Sequence, residues 1–128
     1  MSAIGSVKER TSAMDRKNVE HRRVSEGTAV ETMAGIHRTT LCYDAQVMLC
    51  HFVFDKGSAI PLHNHAAVQT GYVIRGSVRF SKKDGTSFIA GAGTGYIFDS
   101  EEHHAAEALE ESELVECFAP MRPEYGDA

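Results

Sequence analysis

Residues 57–76 read GSAIPLHNHAAVQTGYVIRG, a β-type segment that carries two histidines and a glutamine between glycines. His63 and His65 are separated by one residue, so in an extended chain both side chains point to the same face. Gln69 lies an even number of residues from both and keeps that parity. Imidazole nitrogens bind zinc, iron, nickel, copper and manganese, and an amide oxygen is a weaker neutral ligand. The segment therefore predicts a metal site.

The spacing resembles the first motif of the cupin superfamily, Gly-x5-His-x-His-x3-Glu-x6-Gly. The positions that fall on this pattern are Gly57, His63, His65 and Gly76. Gln69 stands where most metal-binding cupins carry glutamate. The resemblance implies a double-stranded β-helix, also called a jelly-roll barrel, over about residues 30–122.

A second histidine cluster, GYIFDSEEHHAAE at residues 95–107, resembles the second cupin motif without its usual Pro-x-Gly. His104 matches the histidine ligand of that motif, and His103 stands where proline is common. The resemblance implies one divalent metal ion, which can be Zn, Mn, Ni or Fe. The implied ligands are His63, His65, Gln69 and His104.

Strand parity checks this ligand set independently of the family. His104 shares its strand face with Ala106 and Ala108, and Gln69 shares its face with Gly71 and Val73. Small side chains beside convergent polar groups are what a small-molecule metal site needs. The alternative interpretation is that these histidines are surface residues or hydrogen-bonded core residues.

The glutamine ligand has a chemical consequence. Three neutral imidazoles and a neutral amide leave the full charge of a divalent ion uncompensated, which strengthens it as a Lewis acid. This neutral ligand set also lacks the negative charge that would stabilise Fe(III). It therefore favours chemistry without a redox step.

Charge and composition narrow the classes of partner. The chain of 128 residues has 13 basic and 18 acidic side chains, a net charge of −5, which argues against a nucleic-acid partner. The sequence contains neither an apolar run long enough for a membrane span nor a signal peptide. The cysteines are Cys42, Cys50 and Cys117, which lack paired spacing and favour buried packing in a reducing cytoplasm.

Residues 1–28 are polar, and we expect them to form an irregular arm ahead of a single domain over residues 29–128. Residues 1–23 hold six basic and three acidic side chains, so this end is positive while the body is acidic. Such a pattern suggests docking on the body or on a partner subunit. A solvated terminus is the alternative.

The remaining pattern is that of short strands between turns. Strands are predicted over residues 28–34, 36–43, 46–54, 70–74, 77–83, 86–90, 96–98, 104–109 and 114–118. Asp84-Gly85 predicts a hairpin turn. The strand at residues 46–54 is apolar on both faces, which is typical of a sandwich whose outer face is covered. We expect the second subunit of a homodimer to cover it. The fold class is therefore all-β with minimal helix.

The end of the chain carries a third group of polar residues. Glu116 and Phe118 share one face of the last strand, and Pro120 ends its ladder pairing and leaves Arg122 free to swing. An inward face would place a carboxylate near the metal for proton transfer, with a guanidinium group for a substrate carboxylate. The alternatives are a structural Glu116–Arg122 ion pair and a solvated Glu116.

A closer resemblance is to small cupins of pectin and alginate breakdown, which open the ring of unsaturated uronates. The matching segments are residues 63–73, 106–110 and 116–125. This resemblance implies catalytic roles for Glu116, Phe118 and Arg122. The chain departs from the family pattern at Glu116, where aspartate is usual, and at Val68, where glutamate is usual.

These observations favour a metal-dependent enzyme of isomerase or ring-opening type, acting on an oxygenated small molecule such as a sugar acid. A second hypothesis is an Fe(II) dioxygenase or polyketide cyclase with an apolar pocket lined by Phe98, Phe118 and Tyr72. A third hypothesis is a cupin that binds a small molecule without catalysis.

Overall fold

In the computed structural model, residues 17–127 are described, and they form eleven strands and two short 3-10 turns. The strands are β1 Lys17–Val19, β2 Val30–Met33, β3 Ile36–Asp44, β4 Met48–Phe54, β5 Ala59–His63, β6 Val68–Arg75, β7 Ser77–Lys82, β8 Ser87–Gly91, β9 Gly95–Phe98, β10 His104–Ala108 and β11 Ser112–Ala119. The turns are Val24–Glu26 and Pro123–Tyr125. Within these residues, no helix has the length and apolar character needed to cross a membrane.

The strands form two antiparallel sheets. The larger sheet has the order β1-β3-β4-β11-β6-β9, with β2 also paired to β3, and the smaller has the order β5-β10-β7-β8. Side chains from both sheets meet in one apolar core; for example, the rings of Phe80 on β7 and Phe98 on β9 lie 5.4 Å apart. The predicted all-β jelly-roll architecture with minimal helix is confirmed.

The structure contains two strands that the sequence did not predict. One is β5, which contains Pro61 and lies at the edge of the smaller sheet, where a proline without an N–H group is tolerated. The other is β1, which pairs with the end of β3 although it belongs to the segment predicted to be irregular. Residues 1–16 of the predicted arm lie outside the described residues.

The predicted hairpin at Asp84-Gly85 is present between β7 and β8. The Lys82 N–H donates to the Thr86 carbonyl at 2.8 Å, and Gly85 has a φ of 89°. Asp84 has no positive φ; its carboxylate instead accepts hydrogen bonds from the amide and hydroxyl of Thr86 at 2.9 and 2.6 Å. The turn therefore needs a glycine at one position only.

Candidate metal centre

The three predicted histidine ligands meet between the two sheets. His63 ends β5 and His104 begins β10, and the two are partners in the register of the smaller sheet. His65 lies in the following loop, where its carbonyl accepts the Glu101 N–H at 2.8 Å. The potential ligand atoms of the three rings all lie within 4.8 Å of one another. The fold therefore converts two distant sequence motifs into one cluster.

Each imidazole is oriented by a backbone carbonyl. The Nδ1 atoms of His63, His65 and His104 lie 2.9, 2.8 and 2.8 Å from the carbonyl oxygens of Pro61, Ala67 and Glu102. A carbonyl oxygen only accepts hydrogen bonds, so each Nδ1 must carry the proton. In a neutral ring this leaves the Nε2 lone pair free, which is the arrangement found around metal-binding histidines.

Gln69 turns its amide oxygen toward the same point. Its Nε2 donates a hydrogen bond to Glu116 Oε2 at 2.7 Å, which fixes the orientation of the amide. Its Oε1 consequently faces the Nε2 atoms of His65 and His104, at 3.0 and 3.2 Å. Lone pairs face lone pairs in these contacts whenever the rings are neutral.

Protonation of His104 does not supply a donor to Gln69 near neutral pH. Burial, assisted by the charges of the neighbouring histidines, lowers the pKa of His104 to about 4. Burial also lowers the pKa of His63. Convergent nitrogen and oxygen lone pairs are the donors that a metal cation binds, so this donor set fits one divalent metal ion.

Phe98 holds the ring of His104 in place. The two rings stack with centroids 4.3 Å apart and an interplanar angle of 2°, and Phe98 is fully buried. Phe98 is also the register partner of Gln69 across β6 and β9. The residue predicted for an apolar pocket therefore packs against a candidate ligand.

Glu116 lies beside the histidine cluster on β11, with only 6% of its surface exposed. Its Oε2 accepts hydrogen bonds from Gln69 and from the Tyr96 hydroxyl, the latter at 2.5 Å. Within residues 17–127, every side-chain oxygen or nitrogen that is closed off from open space has a partner. Oε1 of Glu116 has no such partner, so it faces the adjoining cavity. Burial raises the pKa of Glu116 to about 7.

Tyr96 reaches Glu116 by crossing a strand. Gly71 on β6 is the register partner of Tyr96 on one side and of Glu116 on the other. A Cβ atom at Gly71 would lie 2.3 Å from both the hydroxyl oxygen and Cζ of Tyr96. The sequence interpretation placed Gly71 in the pocket wall and overlooked Tyr96, which fills that space.

Phe118 and Arg122 both line the cavity next to the candidate centre. Phe118 is buried, and its ring packs edge-on against His65 with centroids 6.0 Å apart. The Arg122 guanidinium carbon lies 5.2 Å from the Phe118 centroid. Arg122 is not free to swing, because it donates to the Tyr125 hydroxyl at 3.2 Å and to Glu124 at 3.1 Å. A Glu116–Arg122 ion pair does not form.

The cavity between these groups has a volume of about 280 Å³. Its polar end is formed by His63, Gln69, His104, Glu116 and Arg122. The rest of its wall is mainly apolar and includes Met33, Phe52, Phe54, Ile60 and Phe80. This combination suits a small organic molecule with one polar end.

Tyr72 and His51 do not line this cavity. Tyr72 points to the outer face of the larger sheet and is 47% exposed, so its predicted place in the pocket is wrong. His51 also lies on the outer face, where its Nε2 is 2.6 Å from Glu113 Oε2. The His51 side chain is nevertheless buried, with 7% of its surface exposed.

Comparisons with solved structures agree with the architecture. The chain is similar to an RmlC-like cupin from Shewanella frigidimarina, with a TM-score of 0.80, 22% identity and coverage of 86% of this chain and 98% of that one. It is similar to KdgF from Halomonas sp., with a TM-score of 0.76, 24% identity and coverage of 82% and 96%. A third similar structure is the polyketide cyclase RemF from Streptomyces resistomycificus, with a TM-score of 0.71, 17% identity and coverage of 82% of each chain.

Because these sequence identities are low, the similarities establish the fold alone. A search of curated proteins found no match to this sequence. Residues 50–118, which are more than half of the chain and include all four candidate metal ligands, match the Cupin domain family. The chain belongs to the cupin family.

Proposed function

We propose that this protein is a metal-dependent enzyme of the isomerase or ring-opening type, acting on an oxygenated small molecule such as an unsaturated uronate. The observation that carries the proposal is the buried Glu116, whose Oε1 faces the cavity beside the candidate ligands. His63, His65, Gln69 and His104 would hold one divalent ion. That ion would supply Lewis acidity toward substrate oxygens.

Glu116 is suited to moving a proton. With a pKa raised to about 7 by burial, it can both accept and release a proton near neutral pH. Tyr96 and Gln69 hold its Oε2, so Oε1 is the atom that takes a proton from one position of the substrate and returns it to another. A ring-opening isomerisation needs this transfer and no outside oxidant.

Arg122 is suited to holding a substrate carboxylate. Its guanidinium group lies in the cavity wall and already binds the carboxylate of Glu124, whose side chain is 59% exposed. A substrate carboxylate could take the place of the Glu124 carboxylate, because the Glu124 side chain lies mostly in solvent and is free to move away. Phe118 would then pack against the body of the substrate.

The direct test is turnover of unsaturated uronates by Glu116→Gln, followed by the ultraviolet absorbance of the unsaturated ring. The variant should keep its metal and lose activity. Glu107→Gln, on the exposed side of β10, is the matched control and should retain activity. A fully active Glu116→Gln protein would exclude this role.

The apolar wall favours a second candidate, a cyclase or an Fe(II) dioxygenase acting on a more apolar substrate. Phe52, Phe54 and Phe80 offer few hydrogen-bonding groups to a sugar acid. Turnover that depends strictly on oxygen and Fe(II) would support the dioxygenase, and ring closure of a polyketide chain without oxygen would support the cyclase. Retained ligand without any turnover would instead indicate a binding protein.

The proposed enzyme is a cytoplasmic homodimer. Tyr72, Ile74 and Ile97 project from the outer face of the larger sheet and are 47%, 43% and 61% exposed, which suits an interface with a second copy. The three cysteines are unpaired, as in a reducing compartment. Light scattering of the wild type and Ile97→Asp tests the assembly, with a dimer expected to become a monomer.

A further inference from the structure

Arg38 is a buried cation that has no carboxylate partner among residues 17–127. It lies on the inward face of β3, opposite Phe52 of β4, and only 8% of its surface is exposed. None of the ion pairs within residues 17–127 includes it. Buried charges are normally paired, because a charge that is removed from water and left uncompensated is costly.

The contacts that Arg38 does make use only part of its guanidinium group. Its Nε donates to Thr40 Oγ1 at 3.3 Å, and its Cζ lies 4.3 Å from the centroid of the Tyr125 ring. The two Nη atoms have no acceptor among residues 17–127. Since every enclosed side-chain nitrogen of those residues has a partner, the Nη atoms must reach open space.

That space is a cavity of about 210 Å³, lined by Arg38 together with Arg22, Thr28, Thr40 and Asp127. We call it the Arg38 cavity. It is separate from the cavity at the candidate metal centre, although Tyr125 contributes to both walls. The charge of Arg22 is matched by Asp127, whose Oδ2 lies 2.9 Å from Arg22 Nη2. Counting only the described residues around this cavity, one uncompensated positive charge therefore remains, on Arg38.

We propose that the Arg38 cavity binds a small oxyanion, a carboxylate or a phosphate, on the Nη atoms of Arg38. A planar guanidinium group presents parallel N–H donors that match two oxygens of such an anion. The anion supplies the missing counter-charge and uses the donors that the protein leaves free. This site goes beyond the proposed enzymatic function and depends neither on the metal nor on the catalytic residues.

The test is an NMR titration of the ¹⁵N-labelled full-length chain with sodium acetate and, separately, sodium phosphate, at constant ionic strength set with sodium chloride. Saturable shifts are expected at Arg38 Nε and at the amides of Thr40 and Tyr125. Arg38→Met keeps the length of the side chain but removes the donors, and it should weaken binding about tenfold or more. Arg79→Met, which removes an exposed arginine on β7, is the control and should bind like the wild type.

The absence of a saturable response in the wild type would overturn the proposal, and so would a response that persists in Arg38→Met. The two salts distinguish a carboxylate ligand from a phosphate. If Arg38→Met does not fold, Arg38→Lys decides instead, because it keeps the charge but loses the pair of parallel donors. Weaker binding by that variant supports the site, and unchanged binding contradicts the bidentate contact.

Discussion

The Tyr96 hydroxyl group donates a hydrogen bond to Glu116 Oε2 at 2.5 Å, although the two residues lie on strands that are not neighbours. The intervening strand contributes Gly71, which has no side chain to block the path. This bond holds one carboxylate oxygen and leaves the other free for the cavity. It therefore connects the packing of the larger sheet to the proposed proton transfer.

Removal of the Tyr96 hydroxyl group should alter the acidity of Glu116. Burial raises the pKa of Glu116 to about 7, and the hydrogen bond from Tyr96 opposes that rise. In Tyr96→Phe the pKa should therefore be higher than in the wild type, and the acidic limb of the pH–rate profile should move to higher pH. Metal content should not change. An unshifted profile with normal activity would mean that Tyr96 does not position Glu116.

Addition of a single methyl group at Gly71 should destabilise the protein. The new Cβ overlaps Tyr96, and overpacking of this kind costs about 1–3 kcal/mol. Urea unfolding measures the loss. The same substitution in a Tyr96→Ala background should cost much less, because the overlapping ring is gone. Gly91→Ala is the control, since no atom lies within 4 Å of its added Cβ. An equal loss of stability on Gly71→Ala in the wild type and in Tyr96→Ala would contradict the contact between Tyr96 and the space above Gly71.

The metal-free protein should lose stability as the pH rises through the pKa of Glu116. The pKa of this carboxyl is about 7 in the folded chain and 4.5 as its ordinary value, so the folded state binds the proton more tightly. The free energy of unfolding should therefore decrease as the pH rises from 4.5 to about 7, by about 3 kcal/mol. Glu116→Gln should remove this slope and be the more stable protein at about pH 8. The measurement is urea unfolding of both proteins in the presence of a chelator. If both proteins show the same pH dependence of stability, Glu116 does not have a raised pKa in the folded state.

Gln69→Glu should separate metal binding from proton transfer. The new carboxylate adds negative charge to the ligand set and should tighten metal binding in a competition assay with a chromophoric chelator. It also removes the Nε2 donor to Glu116 and places two carboxylates in contact, so turnover should fall. Weaker metal binding by this variant would argue against Gln69 as a ligand.

Strand parity predicted that Gln69 and His104 share one site, but it left open whether Glu116 faces inward or toward solvent. In the structure His63, Gln69, His104 and Glu116 all line the cavity. The strands that carry Gln69, His104 and Glu116 were recognisable from turns and β-branched residues, whereas β5, which carries His63, was not. Parity describes one strand at a time. It could not reveal that Tyr96 crosses β6 into the space above Gly71, because that contact depends on the order of three strands in the sheet.

The hydrogen bonds that Arg122 makes near the end of the chain also could not be predicted from local sequence patterns. Pro120 correctly indicated that β11 ends nearby, at Ala119. The return of the chain over Phe118, with Arg122 between Tyr125 and Glu124 as hydrogen-bond partners, depends on tertiary packing. Arg38 gave no sequence signal, since its buried position follows from how β3 faces the Pro123–Tyr125 turn.

We expect a divalent metal ion to be held by the convergent lone pairs of His63, His65, Gln69 and His104. Elemental mass spectrometry of the purified wild type, His104→Ala and the control His103→Ala tests it most directly. We predict close to one metal ion per chain in the wild type and the control, and a large loss in His104→Ala. A wild-type protein that takes up no metal on reconstitution, or a His104→Ala protein that keeps its full content, would contradict the account.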